Sequence, residues 1–528
     1  MAYHSNMPGV PSAATPEPDL SHIASGLFTV DESSSNLKSK TIRGGAITFV
    51  AQALKVLLNV GSTVLLARLL TPSDFGLISM VTGITGFVEA FKDAGLSLAT
   101  VQREHINHHQ VSTLFWINVG LSAVLMAVVL ALSPVLAAFY HEPRLSWVAA
   151  AIACTFVLSG LTVQHQALLR RNLRFKTLAV IDVISLSTGI LTAIGMAIAG
   201  FHYWALVGMT LVSALTNAIA VWIALPWRPG RPQRGCGVRP MIAFGGNIVT
   251  TRFVYSFVTN VPNVLIGWYW GAGAVGLYQK AYSLLMFAID QIHAPVAAVA
   301  LSPLSRVQAE PERFRRYFLA GYSIVISFAL PVVVVSAVFS EEIIRVVLGA
   351  QWGGAVGVFR WLAIGSVFVI LLNPLGMVLQ AAGRAARQVK ITLVDSALVT
   401  GAYLAGLRFG VVGVAIGFVV VRGLSYIPIT CAMLKGTGIG LERLFRTALL
   451  PLIATLIATA AGLMLKFCLR ATMSGFFLLA LGACLMLSVY AVILLVVFGK
   501  WEFYRDVLRE LLPPRFLPFK QAIVEEES

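Results

Sequence analysis

Charge is scarce in this chain. Of its 528 residues only 12% are Asp, Glu, Lys or Arg, while 58% are apolar; soluble domains carry about 25% charged residues. A surface so poor in charge cannot all face water, which excludes an ordinary soluble domain. Cysteine is equally sparse: Cys154, Cys236, Cys431, Cys468 and Cys484 have no spacing that would build a disulfide framework or a metal site. Long polar stretches are missing too. The one sizeable piece, residues 1–42, is rich in Ser and Pro and reads as a disordered tail. It lacks the basic segment, apolar core and cleavage site of a signal peptide. No G-x-x-x-x-G-K-[ST] phosphate loop occurs, so direct ATP hydrolysis is not expected. No metal or cofactor is expected; His105, His108 and His109 have helical spacing but no further ligands.

What the chain has instead is apolar runs of the ~20 residues that cross a bilayer as a helix. About fourteen are expected, over 44–67, 75–98, 112–139, 146–168, 177–199, 203–226, 241–267, 275–304, 317–340, 355–381, 388–407, 410–432, 446–468 and 474–498. The fold class is therefore an all-α polytopic membrane protein. Loops following even-numbered spans carry nineteen Lys and Arg, among them Arg170, Arg171 and Arg174; those following odd-numbered spans carry six. The positive-inside rule puts the even loops and both termini in the cytoplasm. The net charge of +16 is thus used by topology, and no nucleic acid is expected as a partner.

The spans repeat. At an offset of 200, Gly45 meets Gly245, Val64 meets Val264, Gly76 meets Gly276, Leu77 meets Leu277 and Phe87 meets Phe287. The fifth span opens with FKTLAVID (Phe175 to Asp182) and the eleventh with VKITLVD (Val389 to Asp395), each after a basic loop. Spans 1–6 (43–230) and 7–12 (231–435) are read as two parallel repeats. Spans 13 and 14 (436–499) are an appended pair, and 500–528 is a tail in which Trp501 to Pro514 has the spacing of an interfacial helix. Parallel repeats hold substrate at their interface and rock around it.

Polar residues line one face of span 1 (Thr48, Gln52, Lys55, Asn59 and Thr63) and of span 7 (Arg252, Ser256, Thr259 and Asn263, with Tyr255 beside them). Span 2 carries Glu89 and Asp93, span 8 carries Asp290 and His293 and, near its outer end where it could snorkel to the interface, Lys280, and span 12 carries Arg422 midway. A charge at mid-membrane costs at least ~2.5–3.5 kcal/mol, so these cations need a wet cavity or partners such as Lys55 with Glu89 or Arg252 with Asp290. A cationic cavity would suit an anionic cargo, because Lys and Arg hold phosphates by charge-assisted hydrogen bonds. Asp182 and Asp395 are expected in the first turn of their helices, favoured by the dipole or touching the basic loops as a gate.

The stretch LLARLLTPSDFGLISMVTGITGFVEAFKDAGLSLATVQ (Leu65 to Gln102) resembles the opening signature of bacterial polysaccharide-biosynthesis exporters of the Wzx type. These belong to the multidrug/oligosaccharidyl-lipid/polysaccharide exporter superfamily, and the capsule, colanic-acid and succinoglycan exporters are the most similar subgroup. VLIGWYWGAGAVGLYQKAYSLL (Val264 to Leu285), SPLSRVQAEPERFRRYF (Ser302 to Phe318) and LQAAGRA (Leu379 to Ala385) resemble later blocks. Trp268 departs from the family, which often has a cation there. The resemblance implies two six-helix bundles around a V-shaped cavity, plus two helices. It also implies translocation of an undecaprenyl-diphosphate-linked oligosaccharide from the cytoplasmic to the periplasmic leaflet of the bacterial inner membrane. On that reading Lys55, Arg252, Arg422 and Lys280 serve the diphosphate, and Gln52, Asn59, Tyr255 and Asn263 the sugars. Glu89, Asp290 or His293 would couple an ion, and Arg170, Arg171, Arg174, Asp182 and Asp395 would form a cytoplasmic gate. Partners would be the lipid-linked substrate, membrane lipid, and a polysaccharide polymerase and chain-length regulator. The alternatives are a drug exporter of the same superfamily, which predicts an acidic cavity, a membrane polymerase or glycosyltransferase, which needs a long outer loop, and a purely structural assembly factor.

Overall fold

Inside a bilayer no water satisfies backbone N–H and C=O groups, so an apolar run must close its own hydrogen bonds as helix. The computed structural model describes residues 34–89, 91–92, 95–103, 106–233, 239–306, 310–502 and 504–505; for 34–48 and most of 239–258 and 294–306 it describes the backbone only. Among these residues no strand forms. The helices are α1 (Ser34–Leu69), α2 (Pro72–Glu89), the short α3 (Leu96–Gln102), α4 (His108–Tyr140), α5 (Arg144–Arg171), α6 (Phe175–Ile198) and α7 (Trp204–Ala224). There follow α8 (Arg239–Arg306), α9 (Pro311–Val338), the short α10 (Ser340–Val347), α11 (Ala355–Ala381), α12 (Ala385–Gly406), α13 (Gly410–Leu434), α14 (Leu441–Leu469) and α15 (Gly475–Val492).

Ten described segments are long and apolar enough to cross a membrane, one of which, Ala386–Leu434, contains both α12 and α13. With α2 and the two arms of α8, the described spans number fourteen, as the hydropathy predicts. Two boundaries differ most. Helix α1 already runs from Ser34, inside the stretch read as tail. The second span stops at Glu89 and resumes as α3. The expected interfacial helix lies outside the described residues beyond Arg505.

Helix α8 is two spans joined at Gly271, whose φ of 77° and ψ of −175° are open to glycine and strained for other residues. The repeats are visible in such turns. Helix α5 ends with Leu173 at φ 54°, its N–H bonded to Arg170 O and that of Arg174 to Leu169 O. At α11, 210 residues on, Gly383 at φ 68° donates to Gln380 O and Arg384 to Leu379 O. Both are Schellman caps, which satisfy the last helical carbonyls. Gly200 and Gly410 match at the same offset, with φ of 82° and 78°.

The halves meet through a reciprocal contact. A Cβ on Gly76 would strike the backbone of Ala272, and one on Gly276 would strike that of Pro72. Position 72 corresponds to 272 and 76 to 276, so α2 and the second arm of α8 cross around a pseudo-twofold axis, each using its small residue for close approach. One apolar core runs through both halves, from Leu66 and Leu77 to Tyr278, Trp352 and Ala415. The outer surface is bare apolar: Leu191, Ile223, Leu456 and Phe467 are among the most exposed side chains. This is the surface of a multi-pass membrane protein.

The appended pair α14–α15 packs on α9 around Val338, Phe339, Ala458 and Met486. Lys466 ties it down, its ammonium 2.7 Å from Glu342 and 2.9 Å from Val338 O.

Candidate functional site

The helix ends define two faces. The one at which α1 begins carries the basic loops; the other is called here the far face. At the far face the halves are latched. Helix α1 ends with unpaired carbonyls, and the segment after α10 supplies donors to them. Trp352 Nε1 donates to Ala67 O at 2.8 Å, and Gln351 Nε2 donates to Leu70 O at 3.0 Å and to Ala67 O. Arg68 reaches across to Val346 O at 2.9 Å. Beside them the signature TPSDFG starts α2: buried Asp74 accepts from Thr71 N–H at 2.9 Å and Thr71 Oγ1 at 2.7 Å, and Phe75 meets the Trp352 ring edge-on at 5.5 Å.

Directly below this latch lies a cavity of about 270 Å³ between the halves, its polar side chains set among Leu66, Phe75, Ile78, Leu206 and Met209. Span 1 lines it with Asn59 and Thr63, α2 with Ser79, α7 with Thr210, and α8 with Gln279, Lys280 and Ser283. The Lys280 ammonium lies 4.0 Å from the centroid of the Phe75 ring, a cation–π contact. No carboxylate lines the cavity, and among the described residues none forms an ion pair with Lys280. The sequence suggests snorkelling to an interface for this lysine; the fold turns it inward.

A second cavity, of about 480 Å³, lies within the first half, nearer the basic face. It contains Lys55, Lys92, Gln166, Asp182, Ser185 and Asn217. Lys55 Nζ is 3.0 Å from Asp182 Oδ2, with 28% and 46% of the two side chains exposed. Gln166 donates to Asn217 at 2.9 Å. Helix α1 forms a wall of both cavities: Lys55 and Asn59 are one turn apart, and the Asn59 amide donates to Lys55 O. Lys92, Gln166, Asn217 and Thr210 are absent from the sequence-based set, although each is a polar side chain in or beside an apolar span.

Several expectations need correction. Among the described residues the cations do not converge on one cavity: Lys55 pairs with Asp182 rather than Glu89, and Arg422 pairs with Asp395 inside the second half at 2.5 Å, with 14% and 15% exposed. Asp182 and Asp395 are not in first turns, because α6 and α12 begin at residues 175 and 385. They sit two to three turns in, where a membrane cation can reach them. Asn263 is only 2% exposed and faces Gly83, and Ser256 donates to Gly86 O at 2.7 Å. Ser256 thus grips α2 by a hydrogen bond, as polar groups do between membrane helices, and Asn263 packs on Gly83 through its Cβ. Arg171 is buried and donates to Thr100 O and Arg103 O, holding α3 to α5; Arg170 and Arg174 remain exposed. Gln52, Glu89 and Asp290 are exposed, and His293 is half-buried. His108 accepts from Trp227 Nε1 at 3.1 Å. The side chains of Thr48, Arg252 and Tyr255, and Asp93 and His105 entirely, lie outside the described residues.

The fold and its cavities define a multi-pass membrane protein of two like-oriented six-helix halves, with a helix pair added at the C-terminal end. A profile of the polysaccharide biosynthesis protein family matches residues 65–357. The chain belongs to that family. It is 24% identical over 407 residues to the lipopolysaccharide biosynthesis protein WzxC of Escherichia coli K12, covering 76% of this chain and 82% of that one. To the teichuronic acid biosynthesis protein TuaB of Bacillus subtilis it is 28% identical over 355 residues, 66% and 73% of the two chains. Among solved structures, the lipid II flippase MurJ in an inward closed conformation shares the fold, with a TM-score of 0.68, 14% identity and coverage of 89% of this chain and all of that one.

Proposed function

We propose that this chain moves a polyprenyl-diphosphate-linked oligosaccharide from the cytoplasmic to the periplasmic leaflet of the bacterial inner membrane, with its basic face and both termini in the cytoplasm. The observation that carries the reading is the inter-half cavity: a lysine without a carboxylate partner among the described residues, with hydroxyl and amide side chains in the same, partly apolar lining. A phosphate answers the ammonium, and sugar hydroxyls answer the rest. The acidic cavity expected of a drug exporter is not what this lining offers. The family membership and the names of WzxC and TuaB support a polysaccharide cargo, and the fold shared with MurJ supports flipping.

The lysines suggest a route. Lys92 and Lys55 line the cavity nearer the basic face, and Lys280 the one beneath the far-face latch. An anionic headgroup gathered by Arg170 and Arg174 passes these cations in turn, and Asp182 releases Lys55 when a phosphate replaces it. The cavity of about 270 Å³ is below the ~300–1,000 Å³ of small-molecule sites, so the halves must part for an oligosaccharide to enter. The polyprenyl tail stays in lipid.

Replacing Lys280 tests this. In a strain that needs this exporter, Lys280→Gln is expected to cut polymer output at least tenfold and to leave lipid-linked repeat units accumulating, with Lys280→Arg retaining output. Normal output from a correctly inserted Lys280→Gln protein contradicts the reading.

A further inference from the structure

A crevice away from both cavities has the chemistry of a phospholipid site. It lies at the basic face, between α9, α14 and the end of α15, with a volume of about 340 Å³. Its mouth carries Arg316, Arg446 and Lys500. Leu319, Leu450, Pro451 and Leu494 lie deeper along their helices, with Ser323 and Thr447 in the same lining. Cations at the helix ends and an apolar floor beyond them match the phosphate and the acyl chains of a glycerophospholipid.

The surroundings identify the source of the ligand. Around the crevice Phe445, Leu449, Val496 and Val497 are bare, so its flank faces acyl chains rather than water. Tyr317 and Trp501, 51% and 59% exposed, flank the cations at the level where such rings settle between headgroups and chains. Arg446 shares an exposed ion pair with Glu442 at 2.7 Å, of the kind worth little in water. Arg316 and Lys500 have no ion pair among the described residues. The crevice lining itself holds three cations and no carboxylate.

We propose that this crevice holds one anionic glycerophospholipid of the surrounding membrane. Its phosphate sits among Arg316, Arg446 and Lys500 and its chains lie along Leu450 and Leu494, so that the lipid bridges the second half and the appended helix pair. Basic pockets between membrane helices bind anionic headgroups in this way. The inference does not depend on the cargo proposed above.

The test uses the purified full chain in a neutral detergent, with bound lipid counted by native mass spectrometry and thermal stability followed as lipid is added. Phosphatidylglycerol is expected to stay bound and to raise the melting temperature, whereas phosphatidylcholine and inorganic phosphate do neither. A response to inorganic phosphate equal to that of phosphatidylglycerol overturns the lipid assignment. The variant Arg316→Gln/Arg446→Gln/Lys500→Gln is expected to lose phosphatidylglycerol affinity by on the order of a hundredfold, at roughly fivefold per cation. Arg316→Lys/Arg446→Lys/Lys500→Arg retains binding and shows that the effect follows charge at this place. The control Arg228→Gln/Arg231→Gln removes two exposed cations of the first half and is expected to bind normally. Unchanged binding in the triple Gln variant, or equal loss in the control, overturns the site.

Discussion

Asp182 and Asp395 have similar sequence surroundings and different burial. Arg422 and Asp395 are about 15% exposed, so removing one partner leaves a charge buried alone, at about 3–5 kcal/mol. Lys55 and Asp182 open onto a cavity, and such exposed pairs contribute about 0–1 kcal/mol. Arg422→Gln is therefore expected to lower the melting temperature of the purified protein sharply, with recovery in Arg422→Gln/Asp395→Asn, while Lys55→Gln barely moves it. Equal losses for Arg422→Gln and Lys55→Gln would contradict this division of one structural and one cavity-lining pair. The sequence reveals each of these four residues as a charge inside a span. It does not reveal the partners, because 127 residues separate Lys55 from Asp182 and only packing of α1 on α6 brings them together.

At the scale of elements, the number and limits of the helices were legible because lipid makes hydropathy and helicity nearly the same signal. Boundaries at α6, α7, α11 and α13 fall within two residues of the hydropathy reading. Faces were less legible. The period of span 7 is real, but a polar stripe looks the same whether it lines water or grips another helix, and Ser256 and Asn263 grip α2. The glycines carry the information that the stripe lacks. Gly76 and Gly276 stand where two backbones nearly touch, so Gly276→Val is expected to abolish the yield of folded, membrane-inserted protein. Gly273→Val, with open space around its Cβ, should be recovered near the wild-type level. Equal recovery of both variants would contradict the close crossing of α2 and α8.

For the molecule as a whole, the repeat announced in sequence at Gly76 and Gly276 becomes a pseudo-twofold seam, and on the function proposed above the seam is where the halves would part. The far-face latch joins α1 to α10 through Arg68 and to the segment after α10 through Gln351 and Trp352; opening that face would break these bonds. The decisive measurement is transbilayer movement of a fluorescent polyprenyl-diphosphate oligosaccharide in proteoliposomes. It would use a cysteine-free background carrying Arg68→Cys and Val346→Cys, before and after bridging with a short, reducible bis-thiol reagent. Movement is expected in the unbridged protein, with its loss on bridging and its return on reduction. Movement that continues at the same rate with the far face bridged would contradict transport by parting of the halves.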